Sequence, residues 1–223
     1  MTANKDLWKR VCTTDPRHVK PITGKQYSGN SPKPYWIVER LTDEFGPCGI
    51  GWGFVILNER FEHFGVGEAS ESLHVASVRF WYVLNGQRGE LEQVGQTRAA
   101  YTTSKGKFMV DEDAPKKSVT DALVKCASYL GFAGDIFSGM WDDSKYVAQA
   151  RDEYEEKERL QARQEWLDAT ALQLESCNTP AELKAAWSSA VAATRKEQDT
   201  DAYETLKPIM ERMAAHIKQG ATA

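Results

Sequence analysis

The sequence predicts an α+β fold: an antiparallel β-meander packed on helices, followed by an α-helical C-terminal segment. Three observations predict it. Residues 73–84, LHVASVRFWYVL, alternate as a half-buried strand does, and Asn85-Gly86 behind them is a strong hairpin signal. Val119, Ala122, Leu123, Cys126, Ala127 and Leu130 recur at helical spacing. From about Ser144 the composition shifts to Ala, Glu, Lys, Arg and Gln. The resulting order of helix, meander, helix and further helices is not the alternation of a doubly wound nucleotide-binding sheet.

The elements follow in order. Lys5 to Cys12 reads as a short helix. The stretch from Pro21 to Pro32 is rich in Pro, Gly and Ser, with many turn formers and no period. Residues 1–33 are therefore expected to form a basic N-terminal arm. Pro34 suits the first turn of a helix, where its missing N–H has no intrahelical partner. Tyr35, Val38, Leu41, Thr42 and Phe45 fall three and four apart and predict that helix's buried face. Gly46-Pro47 ends it, because proline cannot continue a helix. Gly49-Ile-Gly-Trp-Gly53 then leads into a strand-like run, Phe54 to Leu57.

In the main strand, His74, Ala76, Val78, Phe80, Tyr82 and Leu84 share one side. The hairpin loop can extend to Gly89, with a returning strand from Glu90 to about Tyr101 and a turn from Thr102 to Gly106. The second helix is expected to start near Asp113, which can cap it, with Pro115 tolerated in its first turn and Gly131 as its stop. In the tail, Leu160, Leu167, Ala171 and Leu174 form one stripe. Thr179-Pro-Ala-Glu182 is a capping box that opens a second helix, with Leu183, Ala186, Trp187, Ala190 and Val191 on one face. Tyr203, Leu206, Met210 and Met213 predict a last short helix. The boundary falls near residue 150, giving a core over 34–150 and a helical segment over 151–223.

The net charge of −4 rules out a uniformly basic polyanion binder, but the charge is unevenly placed. Residues 1–40 hold 8 Lys and Arg, among them Lys20, Lys25 and Arg40, against 3 acidic residues. Residues 151–223 hold 10 against 14. A basic start and an acidic end suggest one part that meets a polyanion and another with a different task. Cys12, Cys48, Cys126 and Cys177 have neither zinc-site nor disulfide-framework spacing and read as reduced thiols. No signal-peptide core and no run of ~20 apolar residues occurs, so a cytoplasmic protein is expected.

Enzyme motifs are not found. Gly46 to Gly53 is glycine-rich, but it leads into a strand and lacks the lysine of a phosphate-cradling loop. His18, His63, His74 and His216 form no metal-binding pair. Asp142-Asp143 and Glu112-Asp113 are adjacent carboxylates that point different ways, which favours solvated acids over a nuclease centre. The positive signal is basic and aromatic: Arg98, Tyr101, Lys105, Lys107, Lys116, Lys117 and Lys125. Cations neutralise phosphates and aromatic faces stack bases. Trp36, Trp52, Trp81 and Tyr82 read as core residues rather than base platforms.

Two segments carry a resemblance. The first is Tyr35-Trp-Ile-Val-Glu-Arg-Leu-Thr-Asp-Glu-Phe-Gly46 with Gly49-Ile-Gly-Trp52. The second is Ala114-Pro-Lys-Lys-Ser-Val-Thr-Asp-Ala-Leu-Val-Lys-Cys-Ala-Ser-Tyr-Leu-Gly131. Their order and spacing resemble the annealing domain of the Rad-fifty-two superfamily, in particular the phage Sak-type single-strand annealing proteins, over residues 34–146.

The resemblance implies a β-β-β-α annealing core that assembles into rings or arcs and pairs complementary strands without ATP. It places phosphate contacts on the helix after the meander, here Lys116, Lys117 and Lys125, and further DNA contacts in the loop from Thr102 to Lys107. Val124 and Ser128 stand where the family often has cations. No bond is made or broken in annealing, so no cofactor or metal is required. A host single-strand-binding protein and a phage exonuclease are the partners this implies. The alternatives are a carboxylate-dependent hydrolase, and a structural or adaptor oligomer that recruits host replication or repair proteins through its helical tail.

Overall fold

The computed structural model describes residues 5–22, 28–66, 69–103 and 105–220. The chain divides into two compact units, Met1–Arg151 and Asp152–Ala223. In chain order the first unit holds α1 (Asp6–Val11), β1 (Val19–Pro21), β2 (Asn30–Pro32), α2 (Pro34–Phe45), β3 (Trp52–Val66), β4 (Ala69–Leu84), β5 (Gln87–Thr102), β6 (Phe108–Val110), α3 (Ala114–Tyr129) and α4 (Gly134–Phe137). Then α5 (Ser144–Glu175) runs through the boundary, and α6 (Pro180–Lys196) and α7 (Thr200–Gly220) complete the second unit. The α+β class expected from the sequence is what the chain adopts.

The main sheet is a four-stranded antiparallel meander in the order β3-β4-β5-β6, and β1 and β2 form a separate two-stranded ribbon. The hairpin at Asn85-Gly86 is a two-residue turn, with Leu84 paired to Gln87. Both turn residues have positive φ, 52° and 76°. That is the backbone twist a tight hairpin needs, and Asn-Gly supplies it at low cost. The loop therefore closes well before Gly89. The strand β3 is far longer than the run from Phe54 to Leu57, continuing past a bulge at Leu57 to Val66. The short strand β6 has no counterpart among the elements the sequence pattern predicts.

α3 lies on one face of β4 and β5. His74, Ala76, Val78 and Phe80 are buried beneath it. Its most buried positions are Ala114, Ser118, Ala122, Cys126 and Ala127. Of the expected stripe, Val119, Leu123 and Leu130 are only half-buried. The reason is close approach: a Cβ on Gly95 of β5 would stand 1.9 Å from the Ser118 carbonyl oxygen. Small residues on the helix and glycine on the strand let the two backbones meet. Asp113 does not cap α3 with its side chain. Its carboxylate turns to Lys116 instead, at 2.9 Å.

The buried face of α2 is Trp36, Ile37, Leu41 and Phe45, not the predicted stripe. Tyr35, Val38 and Thr42 are exposed. The two candidate faces share Leu41 and Phe45. The one holding Trp36 and Ile37 buries more apolar surface, so it wins. Its polar members are engaged as well, since Arg10 donates to Glu44 at 2.8 Å and Arg40 donates to the Arg10 carbonyl at 3.0 Å.

The expected N-terminal arm is, in its described part, built into the first unit. Asp135 is buried and accepts from Thr14 N–H (2.9 Å), Thr14 Oγ1 (2.5 Å), Ile136 N–H (2.9 Å), Trp141 Nε1 (2.8 Å) and the Tyr146 hydroxyl (3.0 Å). Five donors replace the water that a buried carboxylate loses. They tie residue 14 to α4 and to the first turn of α5.

In the second unit, Leu167, Leu174, Leu183, Ala190 and Leu206 pack into one hydrophobic cluster. Leu160 is exposed, so the α5 stripe begins at Leu167. The capping box at Thr179 and Glu182 forms in both directions. α7 is 21 residues long, with Pro208 inside it, and is not the short helix expected. No described helix is long and apolar enough to cross a membrane.

Candidate nucleic-acid interface

The meander brings the end of β3, the start of β4, the end of β5, β6 and the start of α3 to one end of the sheet. Arg98 and Tyr101 lie near the end of β5, with the guanidinium 5.5 Å from the Tyr101 ring centroid. Ala100 pairs with Val110 of β6. Asp111 N–H then bonds to the Ala99 carbonyl at 2.7 Å and leads into α3. Lys117 reaches back to the Asp111 carboxylate at 2.6 Å. Lys105 and Lys107 are exposed in the turn between β5 and β6. So Arg98, Tyr101, Lys105, Lys107, Lys116 and Lys117 are gathered at this end.

Most of these cations already have an anionic neighbour. Arg98 pairs with Glu71 at 3.4 Å, Lys116 with Asp113 and Lys117 with Asp111. The Asp113 carboxylate holds the Lys116 ammonium above its ordinary pKa, and Lys116 in turn lowers that of Asp113. Lys105 and Lys107 are different: neither side chain pairs with a carboxylate among the described residues. They are the cations on which a phosphate could land without displacing an acid.

Three predicted positions sit elsewhere. Lys125 is placed in the C-terminal half of α3, donating to Asp121 at 2.8 Å and to the Val94 carbonyl at 3.1 Å. Asp121 also accepts from Gln96 N–H at 3.2 Å. Together they satisfy backbone groups of β5, which is a structural task. Arg40 is bound to Asp43 at 3.0 Å and to the Arg10 carbonyl, fastening α2 to α1. Lys20 stands exposed on β1, opposite Ser31. Lys25 lies outside the described residues.

Sequence reasoning passes over two features. Helical spacing puts Tyr35 in the core, yet it is 87% exposed and near enough to Lys116 to bear on that group's charge. An exposed ring beside an exposed ammonium is a base-stacking arrangement. The signal was the stronger apolar pair Trp36-Ile37 next door, which turns Tyr35 outward. The second feature is the sheet face away from α3, where Arg60, Arg79 and Arg88 project. Each is matched by Glu62, Glu92 or Glu90 within 3.0 Å. Arg88 also lies over the Trp81 ring, 4.4 Å from its centroid. That face is balanced in charge, whereas the β5–β6 turn is not.

Burial pushes the Cys126 thiol up to about 11, so it packs as a small apolar side chain rather than acting as a nucleophile. Among the described residues, no three His, Cys, Asp or Glu side chains come together in a way that could hold a metal ion. No protein-family model matches the chain, and no curated protein matches it.

Proposed function

We propose that this protein binds single-stranded DNA and anneals complementary strands without ATP or metal, as an oligomeric ring or arc, in phage recombination in a bacterial cytoplasm. The observation that carries the reading is the pair Lys105 and Lys107, neither in an ion pair with a carboxylate among the described residues, at the same end of the sheet as Arg98, Tyr101, Lys116 and Lys117, with the exposed Tyr35 near Lys116. Cations in that arrangement neutralise a backbone and leave the bases free to pair. The resemblance over residues 34–146 supports the same reading. Many weak contacts repeated around an oligomer add up to useful affinity, so a modest cluster suffices in each copy. The acidic second unit is the part proposed to meet a host single-strand-binding protein and a phage exonuclease.

The test is annealing of two labelled complementary oligonucleotides in EDTA without ATP. Fast pairing is expected from the wild type. In Lys105→Glu/Lys107→Glu, annealing is expected to fall at least tenfold. The salt dependence of binding should flatten by about 0.7 decades per decade of salt for each phosphate that is no longer neutralised. A folded double variant that anneals normally would remove these lysines from the interface. A wild type that binds no oligonucleotide at low salt would leave the adaptor reading in its place.

A further inference from the structure

The two edges of the main sheet are treated differently. On the β5 side, Asp121 and Lys125 of α3 occupy backbone groups of Gln96 and Val94, and β6 covers the end. On the other side β3 runs for 15 residues with no described strand beyond it. Phe54, Val55, Ile56, Leu57, Phe61 and Phe64 of that strand are all exposed. A long, apolar, unpaired edge is a template for another strand.

We propose that β3 pairs antiparallel with β3 of a second copy, across a two-fold axis at Phe61, so that two sheets become one. An interface of this kind requires a strand complementary to itself. The regular segment beyond the bulge, Asn58 to Phe64, meets the requirement in one register. With Phe61 opposite the same residue of the second copy, Arg60 faces Glu62 and Glu59 faces His63, on both sides of the axis. The neighbouring registers that keep matching faces together place Arg60 against Arg60 or Glu62 against Glu62. Like charges directly opposite destabilise a strand pair, while opposite charges and aromatic pairs stabilise it.

Arg60 and Glu62 already touch within the strand, at 2.7 Å, so pairing extends an existing ion pair into a group of four charges. Phe61 rests edge-on against His74, with ring centroids 4.9 Å apart, so its position is set by the sheet beneath. The pairing uses none of the lysines at the β5–β6 turn and stands whether or not the protein anneals DNA. It closes at two copies, so a ring needs a further interface between such pairs.

Two measurements test it together. Light scattering across a dilution series follows the dimer in the wild type, in Arg60→Glu, in Glu62→Arg and in the double swap R60E/E62R. Each single variant is expected to weaken dimerisation at least tenfold with an unchanged circular dichroism spectrum, and the double swap to restore it. Phe61→Cys in a Cys48→Ser background is expected to form a disulfide-linked dimer on mild oxidation, because directly opposed residues of an antiparallel pair have Cα atoms about 4.5–5.5 Å apart, within the roughly 4.4–6.8 Å that a disulfide spans. Phe54→Cys should not cross-link. A monomeric wild type, a double swap without rescue, or an F61C variant that fails to cross-link would each overturn the proposal.

Discussion

Asp135 shows how a single residue fixes a chain segment. It sits in the first unit with five donors and no described cation beside it. Asp135→Ala would leave those donors unsatisfied and is expected to cost about 3 kcal/mol or more. Asp135→Asn should cost less, because its oxygen can still accept from Thr14, Trp141 and Tyr146 while its amide opposes only the Ile136 N–H. Urea unfolding of the two variants checks the order. The sequence could not reveal this group, since its partners are scattered from Thr14 to Tyr146. The lysines illustrate the same limit: their presence was legible, but the acids that answer them were not. Neutralising one such acid should strengthen DNA binding. Asp113→Asn frees Lys116 from an exposed, solvent-screened ion pair, so affinity for an oligonucleotide should rise by a few-fold at low salt. A fluorescence-anisotropy titration would show it.

Among the elements, those whose residues face a single partner were the most legible. β4 alternates from Ala76 to Phe80 because α3 covers one side of it, and only the buried Val75 breaks the pattern beside it. Asn85-Gly86 fixes its own turn. The far half of β3, Asn58 to Gly65, carries no alternation, because neither of its faces is buried. Period-two patterning records burial, and an edge strand without burial leaves no record. The short β6 fails for the same reason, with Phe108, Met109 and Val110 all exposed. α2 is the helix its spacing predicts, but rotated, because two overlapping stripes fit that spacing. α3 carries two predictions. Gly95→Ala would push a methyl group into the Ser118 carbonyl and is expected to destabilise the first unit by about 1–3 kcal/mol. Lys125→Gln is expected to lower stability by about 1 kcal/mol while leaving oligonucleotide affinity nearly unchanged, since its ammonium serves Val94 and Asp121. Thermal unfolding and binding measured on the same preparation would separate those effects.

For the whole molecule, each of the two hydrophobic clusters lies within one unit. Leu206→Ala is therefore expected to remove hydrogen-exchange protection from α6 and α7 before β4 and β5, at a cost of about 2–5 kcal/mol. Acid should act on the second unit through Asp199. Arg163 and the Ala202 N–H hold that carboxyl at about 2, below an unfolded value of roughly 3.9. The stabilisation is complete above the unfolded value and is lost as pH falls through about 2. Asp199→Asn should abolish that part of the acid response, read as helix content against pH.

The bond between Thr14 and Asp135 also sets a timetable for synthesis. The two residues are 121 positions apart. A ribosome adding ~5–20 residues per second makes Thr14 roughly 6–24 s before the carboxylate that will receive it. Through that interval the nascent meander can form from neighbours in sequence, while the N-terminal segment waits for a partner not yet translated. Within the first unit, residues 5–22 are thus made before the meander and are among the last to settle.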